Sequence, residues 1–401
     1  MFRLSFFTTL VALAVAAPSG TFAQGAQSGP IRIGVLSDMN GIFSSIAGPG
    51  SVHAARLAAE DFGGQVLGRK IEIIQGDHQN KADIGAAIAR EWIDVGGVTA
   101  ITEVIGSAVG LAVQSVIRQK DKIALFSGSG ADDLIGKQCA PGGFVWSFNT
   151  YTQAKVTGTA LMGRGYDSWY LVSQDSAFGA SIERNLAQVA RVRNAKIVGT
   201  ARFPVVNQDF SSFLLNAQAS RAKVIALTGG DVSAFVKQAH EFGVVAGGQN
   251  LSAMMVWIQW VHALTAQRAQ GLFLSSSFYW DMNDRTRAWT KRFLARAGFM
   301  PSMTHAGSYS AVKHYLKAVA AAGTTDNKKV IAEMRRVPVD DDTASGRVRE
   351  DGLLLRDFYL FEVKKPSESK SEWDLYKLVS TVKADEAAPS LAASECPNVK
   401  R

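Results

Sequence analysis

The chain has 401 residues, of which 47% are hydrophobic and 19% charged, with 37 glycines and a formal net charge of +8. That length exceeds one ordinary domain and suits two with large cores, and the composition excludes disordered, collagenous and coiled-coil classes. No run of five Lys/Arg residues occurs, so the basicity forms no nucleic-acid stripe and is at most a weak pull on anionic ligands.

The chain opens with Met1-Phe2-Arg3, an apolar run from Phe6 to Ala17, and the small-residue site Thr21-Phe22-Ala23, which together predict a signal peptide over residues 1–23. The apolar run breaks at Pro18-Ser19-Gly20, short of the ~20 residues a membrane span needs, and no Cys stands at the cleavage site. Cleavage after Ala23 removes Arg3, takes the net charge to +7, and leaves a soluble periplasmic product that is not membrane-embedded.

Beyond the leader, strand-like apolar runs alternate with amphipathic helices. The first series is a strand at 31–36, a helix at 51–62, a strand at 70–75, a helix at 81–95, a strand at 100–104, a helix at 107–118 and a strand at 123–126. After Thr150 the order repeats: helix 153–162, strand 168–172, helix 180–192, strand 196–201, helix 210–217, strand 223–227. Helices at 234–242, 284–297, 305–322 and 328–336 and strands at 272–276 and 358–364 complete the pattern, before a polar tail interrupted at 373–379. Alternation of this kind predicts an α/β protein of two doubly wound, parallel-sheet lobes, with ligands at the carboxyl ends of the strands. The most informative unit is the first. A buried strand runs into a polar turn from Met39 to Gly50, containing Ile46, and then into a helix N-terminus whose unpaired N–H groups suit a polar or anionic ligand.

Two cysteines, Cys139 and Cys396, in an oxidising compartment predict one disulfide, with two separate thiols as the alternative. Such a bridge closes a loop that stabilises by up to roughly 5 kcal/mol in the chain-entropy view. The turn-like Gly136-Lys137-Gln138-Cys139-Ala140-Pro141-Gly142 disfavours a catalytic cysteine. The six histidines show no paired metal-ligand spacing, and no Gly-x-Ser-x-Gly elbow or phosphate loop occurs. Gly128-Ser129-Gly130 lacks the last glycine of a dinucleotide fingerprint. No metal or cofactor is therefore expected. A secreted hydrolase or oxidoreductase would need a nucleophile–base pair or a cofactor loop, and neither is visible.

In order and spacing, the segment 31–50, Gly68-Arg69-Lys70-Ile71-Glu72, Asp77-His78-Gln79-Asn80-Lys81-Ala82, Gly106-Ser107-Ala108, Ser127-Gly128-Ser129-Gly130 and Asp175-Ser176-Ala177-Phe178-Gly179 resemble the leucine/isoleucine/valine-binding branch of the type I periplasmic solute-binding proteins. Phe278-Tyr279-Trp280-Asp281 and the ending Cys396-Pro397 resemble a subgroup linked to aromatic-acid uptake. The resemblance implies a hinged receptor, not an enzyme, that closes on a small molecule and delivers it to the permease of an ABC importer; a ligand sensor is the alternative role. A monomer is expected. It further implies lobe one at 31–148 with 280–345, lobe two at 150–278 with 347–365, three crossovers near 149–151, 277–281 and 346–352, and a tail at 366–401 returning to lobe one.

It also implies where the ligand sits. Gly106, Ser107 and Ala108 open a helix, and a Ser hydroxyl beside free N–H groups holds a carboxylate; capping by Ser107 is compatible with that. Ser127 and Ser129 end the next strand, with Ser129 a substitute for a threonine that the amino-acid-binding relatives carry near Ala131. Phe178 offers a stacking face and Asp175 either a ligand contact or a helix cap. Where those relatives place a carboxylate for the ligand ammonium, this chain has Met254, Met255 and Trp257. Asp231 is the remaining acid within reach of an ammonium, and Tyr151 and Trp280 lie at crossovers. The expectation is an aromatic or otherwise apolar carboxylate, with a branched-chain amino acid or amide as the alternative.

Overall fold

The computed structural model describes residues 1–2 and 29–400; the apolar leader and its cleavage site lie outside the described residues. The first lobe is laid down as β1 (Ile31–Ser37), α1 (Gly48–Asp61), β2 (Gln65–Val66), β3 (Arg69–Asp77), α2 (Ala82–Asp94), β4 (Val98–Glu103), α3 (Ser107–Lys120), β5 (Ile123–Phe126) and β6 (Gly143–Val145). Its strands lie in the order β2-β3-β1-β4-β5-β6, parallel apart from the short β2. Ile31, Ile33, Val35 and Leu36 of β1 are all fully buried, as a strand covered on both faces requires.

The chain then crosses to the second lobe through α4 (Thr150–Met162), β7 (Ser168–Gln174), α5 (Ala177–Val192), β8 (Lys196–Phe203), α6 (Ser211–Ala219), β9 (Val224–Leu227), α7 (Val232–Glu241), β10 (Asn250–Ala253), α8 (Ile258–Ala269) and β11 (Phe273–Ser276). It returns as α9 (Asp284–Ala297), α10 (Met303–Ala322) and α11 (Asn327–Arg336), with α9 and α10 packed on α1. Capping boxes at Asn283 and Ser302 start α9 and α10. Short strands β12 (Val339–Asp340), β13 (Ser345–Val348) and β14 (Leu354–Leu355) follow. The chain then runs through β15 (Phe358–Val363), β16 (Tyr376–Val382) and α12 (Ala384–Ala387). The second sheet has the order β16-β15-β11-β10-β9-β7-β8.

Two doubly wound α/β lobes are thus present, as the alternation predicts, with three differences. β15 runs antiparallel to both of its neighbours, β11 and β16, in a second sheet that is otherwise parallel. The third crossing comes later than 346–352: Leu353 still bridges Val145, and Leu353 and Leu355 are buried in a first-lobe core cluster. The tail does not go straight back to lobe one, because Tyr376–Val382 first becomes the edge strand of the second sheet. Only afterwards does it return. Thr152 Oγ1 on α4 donates to the Ala387 carbonyl, Arg349 to the Pro389 carbonyl, and Cys396 is joined to Cys139 with Cα atoms 5.5 Å apart. β10 and α8 were not expected from the apolar pattern. Arg356, half-buried between the crossings, donates one Nη2 to the carbonyls of both Ser277 (2.7 Å) and Thr343 (2.9 Å), and so ties two of them together.

Candidate functional site

Between the lobes lies a cavity of about 740 Å³, at the carboxyl ends of both sets of strands. The first-lobe wall comes from the turns after β1, β3, β4 and β5, and the second-lobe wall from those after β7, β8, β9 and β10.

The turn after β4 carries the chemistry. Gly106, at φ 89°, is the N-cap of α3 and has no side chain to satisfy the first amides. Ser107, Ala108 and Val109 begin the helix, and none of their N–H groups has an acceptor among the described residues. Ser107 is 5% exposed, and its Oγ accepts the Ala131 N–H (3.2 Å), which leaves the hydroxyl proton to donate. Gly106, Ser107 and Ala108 all line the cavity. Unpaired amides, a hydroxyl and the positive end of a helix converge there, an arrangement chemically suited to an anionic group. Two helix starts on the second-lobe side are closed by their own residues: Ser176 accepts the Gly179 N–H on α5, and Asp231 accepts the Ser233 and Ala234 N–H groups on α7. The starts of α2 and α8 have no side-chain cap either, but their N-caps are Lys81 and Trp257, and neither adds a hydroxyl beside the amides as Ser107 does.

What aims this turn is a set of buried polar groups behind it. Ser129 Oγ donates to the carbonyls of Val104 (2.5 Å) and Gly106 (3.0 Å). Glu103 Oε2 accepts the Ile105 N–H (3.0 Å), and the Glu103 carbonyl accepts the amides of Ser127 and Gly128. With its carbonyls turned inward to these partners, the turn presents its amides to the cavity. Glu103 (φ 79°) and Val104 (φ 57°) both hold positive φ. For a β-branched residue this is an outlier, and strain of that kind persists where the surroundings impose it, often at functional sites.

The facing wall is different in kind. Phe178, Val205, Val206, Met255, Trp257 and Trp260 supply an apolar surface, completed from the first lobe by Phe148, Ile42 and Phe43. Phe148 meets Phe178 and Trp257 edge-to-face, at ring separations of 6.4 and 6.2 Å. Trp257 Nε1 reaches across to Thr304 Oγ1 (3.2 Å), so one indole spans both lobes. A second link is Asp132, which accepts from Thr150 and Tyr151 at the start of α4 and from Asn185 in the middle of α5. Burial pushes the Asp132 pKa up against those hydrogen bonds.

Of the residues nominated from sequence, Gly106, Ser107, Ala108, Phe178 and Met255 line the cavity. The others serve elsewhere. Ile46 is fully buried, with its carbonyl accepting from Ser302. Ser127 bonds Ser308 in the core, and Ser129 holds the turn just described rather than facing the ligand space. Tyr151 is fixed by its amide to Asp132, Asp175 is exposed, and Ser176, not Asp175, caps α5. Asp231 is committed to capping α7, Met254 packs into a second-lobe core cluster, and Trp280 donates to the Trp373 carbonyl of the tail.

Sequence reasoning missed Asp38 and Asp77, which end β1 and β3 and both line the cavity. Their register is adjacent, Ser37 pairing Asp77, and the rule that ligands sit at strand carboxyl ends was the signal available. Asp38 accepts the amides of Gly41 (2.9 Å) and Phe43 (3.1 Å). Asp77 accepts those of Met39 and Gln79 and the Asn40 side chain. Partial burial opposes ionisation of Asp77, but the donors from Gln79, Met39 and Asn40 prevail and hold its pKa below the usual value. Asn80, Lys81, Gln174, Val206 and Trp260 also line the space without having been nominated.

The profile of a family described as a periplasmic binding protein matches residues 30–370. The chain belongs to that family. No curated protein matches it as a relative. Among solved structures, a periplasmic binding protein from Burkholderia mallei is 41% identical, with a TM-score of 0.91 over 92% of this chain and 99% of that one. A branched-chain amino acid ABC transporter periplasmic ligand-binding protein from Burkholderia xenovorans is 38% identical, with a TM-score of 0.84 over 92% and 100%. A solute-binding protein of an ABC transporter from Rhodopseudomonas palustris, in complex with 3,4-dihydroxybenzoic acid, is 19% identical, with a TM-score of 0.81 over 88% and 98%, and shares the fold. These relatives are binding proteins of transporters rather than enzymes. Among the described residues, no helix of this periplasmic binding protein is long and apolar enough to cross a membrane.

Proposed function

We propose that this protein is the periplasmic receptor of an ABC importer and that it captures a small aromatic or apolar carboxylate between its lobes. The observation that carries the reading is the uncapped α3 N-terminus at Ser107, opposite a wall of Phe178, Met255, Trp257 and Trp260 that contains no charged residue. The carboxylate lies on the amides of α3 and the Ser107 hydroxyl, and the ring or alkyl body lies on the second lobe. Burying an aromatic face of ~150 Å² gives about 4 kcal/mol, whereas micromolar affinity needs about 8, so both halves of the site are required. The benzoate-type ligands of fold neighbours agree with this chemistry. Residues 1–23 direct export and are removed in the mature protein, the receptor acts as a monomer, and its partner is the importer's membrane permease.

A branched-chain amino acid is the second reading, favoured by the ligand class in the description of the Burkholderia xenovorans relative. It requires a partner for the ammonium, and the carboxylates lining the cavity are Asp38 and Asp77 on the first lobe, not Asp231. Calorimetry with benzoate, hydroxycinnamates and leucine at equal concentration decides. Tight leucine binding with no response to any aromatic acid would overturn the first reading. Intact mass of periplasmic material beginning at Gln24 would support the export step; a retained leader would refute it.

A further inference from the structure

Behind the anchoring turn sits a carboxyl group that no ligand contact explains. Glu103 is fully buried at the end of β4, and while its Oε2 takes the Ile105 amide, its Oε1 has no hydrogen-bond partner among the described residues. A Cβ built on Gly128 would lie 2.2 Å from that oxygen and 2.7 Å from Ile105 Cα, so glycine is required there. Gly128 and Ile105 both line the cavity. One layer of backbone therefore separates the Glu103 carboxyl, four residues before Ser107, from the ligand space.

The titratable groups around Glu103 are two acids, one histidine and one lysine. Asp38 ends the neighbouring β1; Asp77, His78 and Lys81 follow from β3 one strand further on. Residues 127–130 of the β5 turn and 106–110 of α3 contain no titratable side chain. Burial is the largest influence on Glu103 and raises its pKa to about 8; the Asp38 charge adds to this, against the nearby Ser37 hydroxyl and the hydrogen bond from the Ile105 amide. Burial likewise holds His78 neutral, with a pKa lowered to about 4, so it offers no compensating cation. An ionised Glu103 would place a third negative charge beside Asp38 and Asp77 at the point where an anion must land.

We propose that Glu103 is a proton-linked positioning residue: its neutral carboxyl orients the Ile105–Ser107 turn, and a carboxylate binds there only while Glu103 keeps its proton. The proposal rests on the reading of the ligand as a carboxylate. By linkage, binding raises the proton affinity of Glu103, and capture above neutral pH takes up a proton.

The test is calorimetry of benzoate binding between pH 6 and 9.5 to the native protein and to Glu103→Gln, which retains an acceptor for the Ile105 amide and cannot ionise. Native affinity should be level up to about pH 7 and fall towards tenfold per pH unit well above pH 8. The variant should show a flat profile. Buffers of different ionisation enthalpy should reveal proton uptake by the native protein at pH 8.5, a readout that stands if the variant fails to fold. The same slope in both proteins, or no proton uptake, would overturn the proposal. Leucine presents a carboxylate too, so binding of leucine alone displaces the ligand class while leaving the comparison of native and variant protein intact. Unfolding without ligand gives a further check. A carboxyl whose folded pKa is raised stabilises fully below its unfolded pKa, and that contribution is lost as pH rises towards about 8. Native stability should therefore decline between about pH 4.5 and 8, and Glu103→Gln should lack that decline; identical profiles would count against a buried proton.

Discussion

The two walls of the cleft are built from the same kind of turn and do opposite work. The first-lobe wall holds the charged side chains, Asp38, Asp77 and Lys81, together with the uncapped N-terminus of α3 and the Ser107 hydroxyl; the second-lobe wall has Phe178, Met255, Trp257 and Trp260 and, at α5 and α7, helix starts closed by Ser176 and Asp231. An N-terminus that spends its amides on its own cap has none left for a ligand. On the proposed reading, the first lobe fixes the ligand's polar head and the second covers its body. A hinged receptor needs this division, because the head must be held before closure removes the apolar body from water.

The largest effect should come from cutting the segment that belongs to both lobes. The tail runs from β16 in the second sheet to the bridge at Cys139 in the first lobe, and reduction should cost up to about 5 kcal/mol of stability. Thermal unfolding with and without reductant, beside a Cys139→Ser/Cys396→Ser variant, measures it; unchanged melting would show the bridge to be dispensable. Next in size is the anchor. Ser107→Ala removes a hydroxyl donor to a charged group, worth about 1.5–3 kcal/mol, so affinity for a carboxylate ligand should drop at least tenfold. An unaltered dissociation constant would remove the head-group role from the first lobe.

On the opposite wall, Phe178→Ala takes away part of the ring surface, and aromatic acids should lose about 1–2 kcal/mol while short aliphatic acids lose less. Equal losses for both classes would mean that the second lobe does not read the ligand body. The smallest change separates capping from binding. Asp231→Ala should lower stability by about 1 kcal/mol through the α7 cap and leave ligand affinity unaltered. A marked loss of affinity would place Asp231 in the site after all.

The alternating pattern carried the architecture, because strands buried on both faces leave continuous apolar runs such as Ile31 to Leu36 and helices leave stripes. It did not carry β10, where Asn250 and Ser252 interrupt the run, or the pairing of β15 and β16, since sheet direction is set by distant partners. In the site, Ser107 was legible because a serine after a strand and at a helix start is a local signal. Ser129 and Asp231 carry the same local signal and were assigned to the ligand, yet each turned out to satisfy protein groups.

Sequence by itself determined that the chain makes two α/β lobes, that Cys139 can meet Cys396, and that the turn at Gly106-Ser107-Ala108 is suited to an anion. Those features depend on local periodicity, composition and spacing. Tertiary structure alone decided which helix N-terminus stays unpaired, that Glu103 lies sealed beneath Gly128, and that Asp38 and Asp77 face the cavity while Asp231 does not. The reason is physical. A hydroxyl, carboxylate or amide can be satisfied by the protein or by a ligand, and only the three-dimensional packing of distant turns settles which partner is nearer.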